Sequence, residues 1–170
     1  MSNAIFLKTR RFYRTSPTLL IILFLAVTSL SPHIWAAEQS NAVCEASSPE
    51  TYKLLSIAEA KLDIVKALIA QGKFERVPAE MKVIFQLNLP DKCEGAVKDA
   101  AIISAKLLVD QNQFEIAHRV MDDAFLRMKL NANKAAVLML TAGIYRLEGK
   151  LDKAIAAWEQ AIKFEKEQVQ

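Results

Sequence analysis

The sequence of 170 residues predicts an all-α fold made of three helical hairpins. Apolar residues recur at the spacing of one helix face, and the same order of small and bulky residues occurs three times along the chain. Between the two helices of each copy stands a glycine or an asparagine, the residues that most readily adopt left-handed backbone. Only four glycines occur in the chain, so it contains little flexible material.

The clearest hairpin extends from Ala135 to Glu165. In its second helix four apolar residues are three or four positions apart, which places them on one face of a helix with 3.6 residues per turn. We expect this face to be buried and the opposite face to lie in water. The expected buried residues are Leu151, Ala154, Trp158 and Ala161, and the expected exposed residues are Asp152, Lys153, Glu159 and Lys163. The first helix has the same pattern at Leu138, Ala142 and Tyr145, and it is expected to end at Gly149.

Two upstream segments repeat this order of residues at seven equivalent positions. The middle copy comprises Ala105, Leu108, Asn112, Phe114, Ala117, Met121 and Ala124, and the first copy comprises Val65, Leu68, Gly72, Phe74, Val77, Met81 and Ile84. The order resembles the tetratricopeptide repeat, a helix-turn-helix unit of roughly 34 residues, over about residues 52 to 167. Successive copies are 40 and 37 residues apart, so the resemblance requires linkers longer than usual.

The resemblance implies a short right-handed α-solenoid whose first helices line a concave groove for a peptide or a partner helix. By register, the inward positions are Glu59, Leu62, Lys66 and Ile69, then Asp99, Ile102, Lys106 and Val109, then Ala136, Met139, Gly143 and Arg146. Lys66, Lys106 and Arg146 would form a basic row able to bind a carboxylate of the partner. Ile102 and Met139 are the apolar candidates beside it. The alternative interpretation is that these charges are simply solvated on exposed helix faces.

Capping signals define where the repeats begin. Residues 38–50 are polar and are predicted to form a linker that leads into the repeat domain, residues 51–170. Ser48 followed by Pro49 is a usual helix start, because serine accepts from the free amides of the first turn and proline lacks the amide that would otherwise be unpaired. The first helix is therefore predicted to run to about Gln71.

Prolines limit the second helix of the first hairpin. A proline inside a helix removes a backbone donor and clashes with the preceding turn. Because of Pro78, this helix is expected to start late, near Arg76 or Val77, and it is expected to end before Pro90. The second pair of helices is predicted over residues 94–130 and the third pair over residues 133–167.

Residues 1–37 are predicted to be a secretory signal peptide. Four basic residues precede an uncharged apolar run from Leu19 to Val27, and small residues follow at Ala36 and Ala37. The apolar run is shorter than the roughly 20 residues that a membrane-spanning helix needs. Cleavage is expected after Ala36 or Ala37, which would place the protein in a bacterial periplasm. The alternative is a retained segment that anchors the protein to the inner membrane.

The charge of the chain changes once this segment is set aside. The whole sequence has 22 basic and 19 acidic residues, a net charge of +3. Residues 1–37 hold four of the basic residues and no acidic residue, so the remainder has 18 basic and 19 acidic residues and a net charge of −1. The basicity belongs to the targeting segment, and the composition gives no electrostatic argument for binding nucleic acid.

Cys44 and Cys93 are the only cysteines of the chain. Two helices joined by a tight turn are antiparallel, so the segments before the first helix and after the second helix lie at the same end of the pair. The two cysteines occupy these segments, which predicts a disulfide in an oxidising compartment. A redox pair or a metal site is the alternative, but the chain has no C-x-x-C motif and no histidine near either cysteine.

The sequence offers little for catalysis. His118 is the only histidine after residue 37, and it is expected to be half-exposed at the edge of the buried side of its helix. Asp122 and Asp123 are adjacent, so their side chains point about 100° apart on a helix and do not form a carboxylate pair. No phosphate-binding loop, zinc-protease motif or nucleophile elbow occurs. We therefore expect no enzyme activity, no metal and no cofactor.

The function expected from the sequence is a protein-binding module or scaffold of the bacterial cell envelope. The alternative is a structural subunit that self-associates through unpaired helix faces, for which Phe164 and Val169 are weak candidates. A third possibility is a small apolar ligand held between helices. This possibility depends only on the apolar content of 52%, and part of that content belongs to residues 1–37.

Overall fold

The computed structural model of the protein describes Cys44 and residues 48–167. This part of the chain is all-α, as predicted, and it contains no β-strand. The predicted signal peptide, most of the predicted linker and Val169 lie outside the described residues. Residues 41–170 form one compact unit, distinct from the first 40 residues.

Six α-helices make up the described part of this unit, and they follow one another as three pairs. They are α1 (Pro49–Ala70), α2 (Val77–Gln86), α3 (Glu94–Asp110), α4 (Phe114–Arg127), α5 (Asn131–Leu147) and α6 (Leu151–Lys166). Short 3-10 turns precede α2 and α3, over Phe74–Arg76 and Asp91–Cys93. Helix α5 begins two residues earlier than the predicted third pair.

The starts of α1 and α2 follow the capping residues. The hydroxyl of Ser48 accepts a hydrogen bond from the amide of Thr51 at 3.1 Å, and Pro49 occupies the first helical position. This confirms the predicted start of α1. Helix α2 begins late, at Val77, after the 3-10 turn, so Pro78 lies in its first turn. A proline there removes no backbone hydrogen bond, because the first amides of a helix have no partner within the helix.

The three pairs contain the same turn. Gly72, Asn112 and Gly149 have positive φ angles of 69°, 57° and 75°. In each turn the amide of the following residue donates to a carbonyl oxygen five positions back, which is the pattern of a Schellman motif. These bonds join Lys73 to Leu68 at 2.9 Å, Gln113 to Leu108 at 2.8 Å and Lys150 to Tyr145 at 2.9 Å. The predicted left-handed turn residues are therefore confirmed in all three copies.

The helices pack within pairs and between successive pairs. Helices α1 and α2, α3 and α4, and α5 and α6 contact each other, and the first helices α1, α3 and α5 also contact one another in that order. Helix α2 contacts α4, and α4 contacts α5. Close contact between helices requires small side chains, and the four alanines at the equivalent positions are fully buried, as predicted. They are Ala105, Ala117, Ala142 and Ala154.

Glu94, at the start of α3, makes the main polar link between the second and third pairs. Its buried carboxylate accepts hydrogen bonds from the amides of Lys129 at 2.5 Å and Leu130 at 3.0 Å, and from the side-chain amide of Asn133 at 2.7 Å. These donors surround the start of α5, so the carboxylate acts as its N-terminal cap. The starts of α3 and α5 consequently lie side by side.

Arg127, at the end of α4, links the second pair to the first. Its Nε donates to the carbonyl oxygen of Phe85 at 2.7 Å, and a terminal nitrogen donates to the carbonyl oxygen of Leu87 at 3.3 Å. Both carbonyls belong to the end of α2, where free carbonyl groups favour a cation. The ends of α2 and α4 therefore also lie side by side.

The structure corrects one part of the predicted buried face of α6. Ala154 and Ala161 are fully buried, but Leu151 is 58% exposed and Trp158 is only half-buried. The equivalent residues are Phe74, in the 3-10 turn before α2, and Phe114, at the start of α4, and both pack against the core. Leu151 differs because no further helical pair follows α6 in the described part of the chain.

Candidate partner-binding face of the first helices

The predicted basic row lies near the carboxyl ends of the three first helices. Lys66 and Lys106 are each four residues before the last residue of their helices, and Arg146 is one residue before the end of α5. First helices of successive pairs run in the same direction, as the link from Glu94 to the start of α5 indicates. The three cationic residues are therefore on neighbouring helices at one end of the unit.

The three cations differ in how they are paired. Lys66 forms an ion pair with Asp63 on its own helix, with Nζ and Oδ1 2.8 Å apart. Lys106 and Arg146 are exposed and form no ion pair within the described residues. Cations near the end of a helix are favoured by the helix dipole, which explains their position without any partner. Lys106 and Arg146 are nevertheless the two cations of the row with no competing carboxylate.

Only some of the apolar residues predicted for this face are exposed. Met139 is 50% exposed, which fits a contact residue. Ile69 is buried in the core, so its predicted inward position is wrong. Ile102 is half-buried and packs against the same core, whereas its neighbour Ile103 is the more exposed isoleucine of α3. The register error has a simple cause: α1 packs against both α2 and α3, and Ile69 lies on the side of α1 that forms the core.

A cluster around His118 was missed by sequence reasoning. The Nε2 atom of His118 lies 2.6 Å from Oε2 of Glu148, and the imidazole stacks on the ring of Tyr145 with centroids 4.2 Å apart. The ammonium of Lys150 lies 2.5 Å from the other carboxylate oxygen. Because Glu148 and Lys150 flank the turn of the third pair, the cluster ties α4 to that turn.

This arrangement corrects the expected half-exposure of His118, whose side chain is mostly buried. Its Nδ1 atom is buried and has no hydrogen-bond partner among the described residues. We therefore assign the proton to Nε2, which donates to Glu148. Neither ring nitrogen presents a free donor or acceptor to open solvent. The cluster therefore acts as a structural link between α4 and the turn of the third pair.

The pKa of Glu148 is lowered within the cluster. Desolvation by burial acts in the opposite direction and raises the pKa, but hydrogen bonds from Lys150 and His118, together with the positive charge of Lys150, outweigh it. A carboxyl group whose folded-state pKa lies below its unfolded value stabilises the fold at higher pH. This stabilisation is lost as the pH falls through the folded-state pKa.

Replacing Glu148 with glutamine is expected to lower the melting temperature at neutral pH by roughly a few degrees. The difference from wild type should be complete above about pH 5 and should shrink as the pH falls through the lowered folded-state pKa, because the wild-type carboxyl is then protonated as well. Thermal melts recorded by circular dichroism across this range test it. Glu165→Gln, an exposed change on α6, serves as the control. A difference between Glu148→Gln and wild type that stays constant over the whole acid range in which both remain folded would contradict the assignment.

A cleft of about 350 Å³ lies among α4, α5 and α6. Phe125, Leu138 and Tyr145 form part of its wall, and Asp122 and Lys153 add charges. This mixed lining does not single out an apolar ligand.

Metal binding, membrane spanning and similarity to known proteins add no further assignment. Within the described residues, no group of three or more histidine, cysteine, aspartate or glutamate side chains could hold a metal ion. No helix in the same part of the chain is both long and apolar enough to cross a membrane. Comparisons of the chain with models of protein families, with curated proteins and with solved structures returned no match.

Proposed function

We propose that this protein is a non-enzymatic binding module of the bacterial cell envelope, with a solenoid of three tetratricopeptide-like repeats. The observation that carries the proposal is the threefold recurrence of one unit. Each pair has the same left-handed turn and a fully buried residue five positions after it, and the first helices of successive pairs contact one another. The buried residues are Val77, Ala117 and Ala154. Repeats of this kind have no enclosed active site, and they act through the surface that the stacked helices share.

Export to an oxidising compartment is part of the proposal. The sulfur atoms of Cys44 and Cys93 lie 2.01 Å apart, at disulfide distance, as the sequence predicted. Disulfides persist in the periplasm and other oxidising compartments and are rare in the bacterial cytosol. The pairing therefore supports the signal-peptide interpretation of residues 1–37, although it is independent of that sequence.

The partner is proposed to be a protein segment that carries a carboxylate and an apolar side chain. Lys106 and Arg146 supply unpaired cations on adjacent first helices, and Met139 supplies an exposed, flexible apolar contact on α5. Such a segment could lie across the first helices as an extended peptide or as a helix.

Reversing both charges, with Lys106→Glu and Arg146→Glu together, is expected to reduce partner capture about tenfold or more, because each change replaces attraction with repulsion. The exported chain with a carboxyl-terminal affinity tag would be isolated from intact cells, and captured proteins would be quantified by mass spectrometry.

The matched control is Lys82→Glu with Arg119→Glu. These residues are exposed on the second helices α2 and α4, and the double change alters the net charge by the same amount. Circular dichroism verifies that both variants remain folded. Equal capture by the two variants would remove the first helices from the proposal.

A further inference from the structure

The two cysteines of the disulfide differ in burial. Cys93 is fully buried and belongs to the hydrophobic core, as the last residue of the 3-10 turn before α3. Cys44 is half-buried and packs against the same core from its edge, ahead of α1. One side of the disulfide therefore reaches solvent, and the other side is enclosed by the core.

This difference decides which sulfur another molecule can reach. In thiol–disulfide exchange a thiolate approaches one sulfur from the side opposite to the sulfur that leaves. An incoming thiolate reaches Cys44 from solvent, with Cys93 as the leaving group on the inner side. An attack on Cys93 would have to pass through the core, where it has no access.

The core also disfavours a thiolate at Cys93 in a folded, reduced chain. A charged sulfur would lose its hydration there, and the next residue in the chain is Glu94, whose carboxylate is itself buried. Cys44, at the edge of the core, keeps part of its contact with water. The thiolate that starts an exchange in the folded chain is therefore that of Cys44.

We propose that Cys44 is the site at which a protein dithiol oxidase of the cell envelope forms a mixed disulfide with this chain. The partner is defined by its chemistry: it carries a reactive disulfide, which is the oxidant of the reaction. The inference rests on the export in the proposed function, because thiols in the bacterial cytosol are kept reduced.

Two exchange steps complete the reaction. The thiolate of Cys44 attacks one sulfur of the oxidase disulfide, so that a bond forms between the two chains and the second sulfur of the oxidase leaves as a thiolate. Cys93 then loses its proton and attacks the sulfur of Cys44, and the first sulfur of the oxidase leaves as a thiolate. The two cysteines lose two protons and two electrons in total. The electrons reduce the oxidase disulfide to a dithiol, and the protons pass to its thiolates or to water.

The fold assists the second step. The Cα atoms of Cys44 and Cys93 lie 4.8 Å apart, so the two sulfur groups are held together by the chain. This high effective concentration offsets the poor ionisation of a buried thiol. The oxidase, bound from solvent, leaves on the side of Cys44 that faces away from Cys93.

Reduced glutathione tests the reactive sulfur without any variant. The purified, oxidised protein is incubated with reduced glutathione, quenched with acid, which stops exchange, and mapped by mass spectrometry. We expect glutathione on Cys44 at least about tenfold more often than on Cys93. In concentrated urea both sulfurs are accessible, so the preference should disappear. Glutathione mainly on Cys93, equally on both cysteines, or on neither in the native protein would overturn the assignment.

Variants with a single cysteine compare the two thiols directly. Cys93→Ala leaves the thiol of Cys44, Cys44→Ala leaves the thiol of Cys93, and both variants lack the disulfide. The thiol of Cys44 should react about 100-fold faster with a chromogenic aromatic disulfide, because a buried thiol reacts only when the core opens. Equal rates in the two variants, with circular dichroism showing both folded, would contradict the assignment. If either variant unfolds, the glutathione measurement is the deciding one.

A purified dithiol oxidase of the bacterial periplasm tests the partner. After an acid quench, Cys93→Ala should show a covalent complex with the oxidase on a non-reducing gel, because the resolving thiol is missing. Cys44→Ala should show at least about tenfold less of this complex. Equal amounts, or no complex with Cys93→Ala, would overturn the proposal. These reactions are run outside the cell, so their failure leaves export untouched, whereas a chain located in the cytosol would contradict export and not the reactivity of Cys44.

Discussion

Replacing Cys44 with serine is expected to lower the free energy of unfolding by about 4 kcal/mol. The disulfide joins residues 49 positions apart, and it closes a loop that contains the whole first pair of helices. Without it, the unfolded chain gains the entropy of that loop, and the segment before α1 is no longer held to the start of α3. The free energy of unfolding is measured by urea titration under non-reducing conditions.

Replacing Cys44 rather than Cys93 isolates the effect of the cross-link. Cys93 is fully buried, so Cys93→Ser would add the cost of an unpaired hydroxyl in the core. Cys44 is only half-buried, and Cys44→Ser should therefore report the cross-link itself. Wild type treated with a reductant should unfold at the same urea concentration as Cys44→Ser. If Cys44→Ser is as stable as the oxidised wild type, the disulfide does not restrain the unfolded chain.

Replacing Glu94 with alanine is expected to lower the free energy of unfolding by about 3 kcal/mol, because one buried donor and two part-buried donors lose their acceptor at once. The donors are the amides of Lys129 and Leu130 and the side chain of Asn133. Their loss uncaps α5 and weakens the contact between the second and third pairs. Urea titration followed by far-UV circular dichroism measures the change.

A second glutamate provides the comparison for Glu94. Glu115 also lies in the first turn of its helix, but it is exposed and makes no hydrogen bond in the described part of the chain. Glu115→Ala removes a similar charge near a helix start and should change the free energy of unfolding by no more than about 0.5 kcal/mol. Equal losses in both variants would mean that the buried contacts of Glu94 contribute nothing beyond the helix dipole.

The candidate site shows where sequence reasoning stops. Register placed Lys106, Arg146 and Met139 at positions that are exposed in the structure. It also placed Ile69 on the binding face, although this residue belongs to the core. A repeat register fixes the angle of a residue around its own helix. How wide a strip stays exposed depends on how closely the neighbouring helices approach, and no local pattern contains that distance.

The sequence by itself determined the helices, their turns and the cysteine pairing. Gly72, Asn112 and Gly149 mark the turns through their own backbone preferences, and small residues at helical spacing mark the close contacts. These signals are local, or recur at a fixed interval, and can be read without coordinates.

Only the tertiary structure decided which side chains close the gaps between pairs. Glu94 caps a helix that begins 37 residues later, and His118 meets a carboxylate 30 residues away. Leu151 follows the same local pattern as Phe74 and Phe114, yet it is exposed while they pack against the core. The physical reason is that burial and hydrogen bonding depend on the neighbour that covers a residue, and that neighbour is distant in the chain.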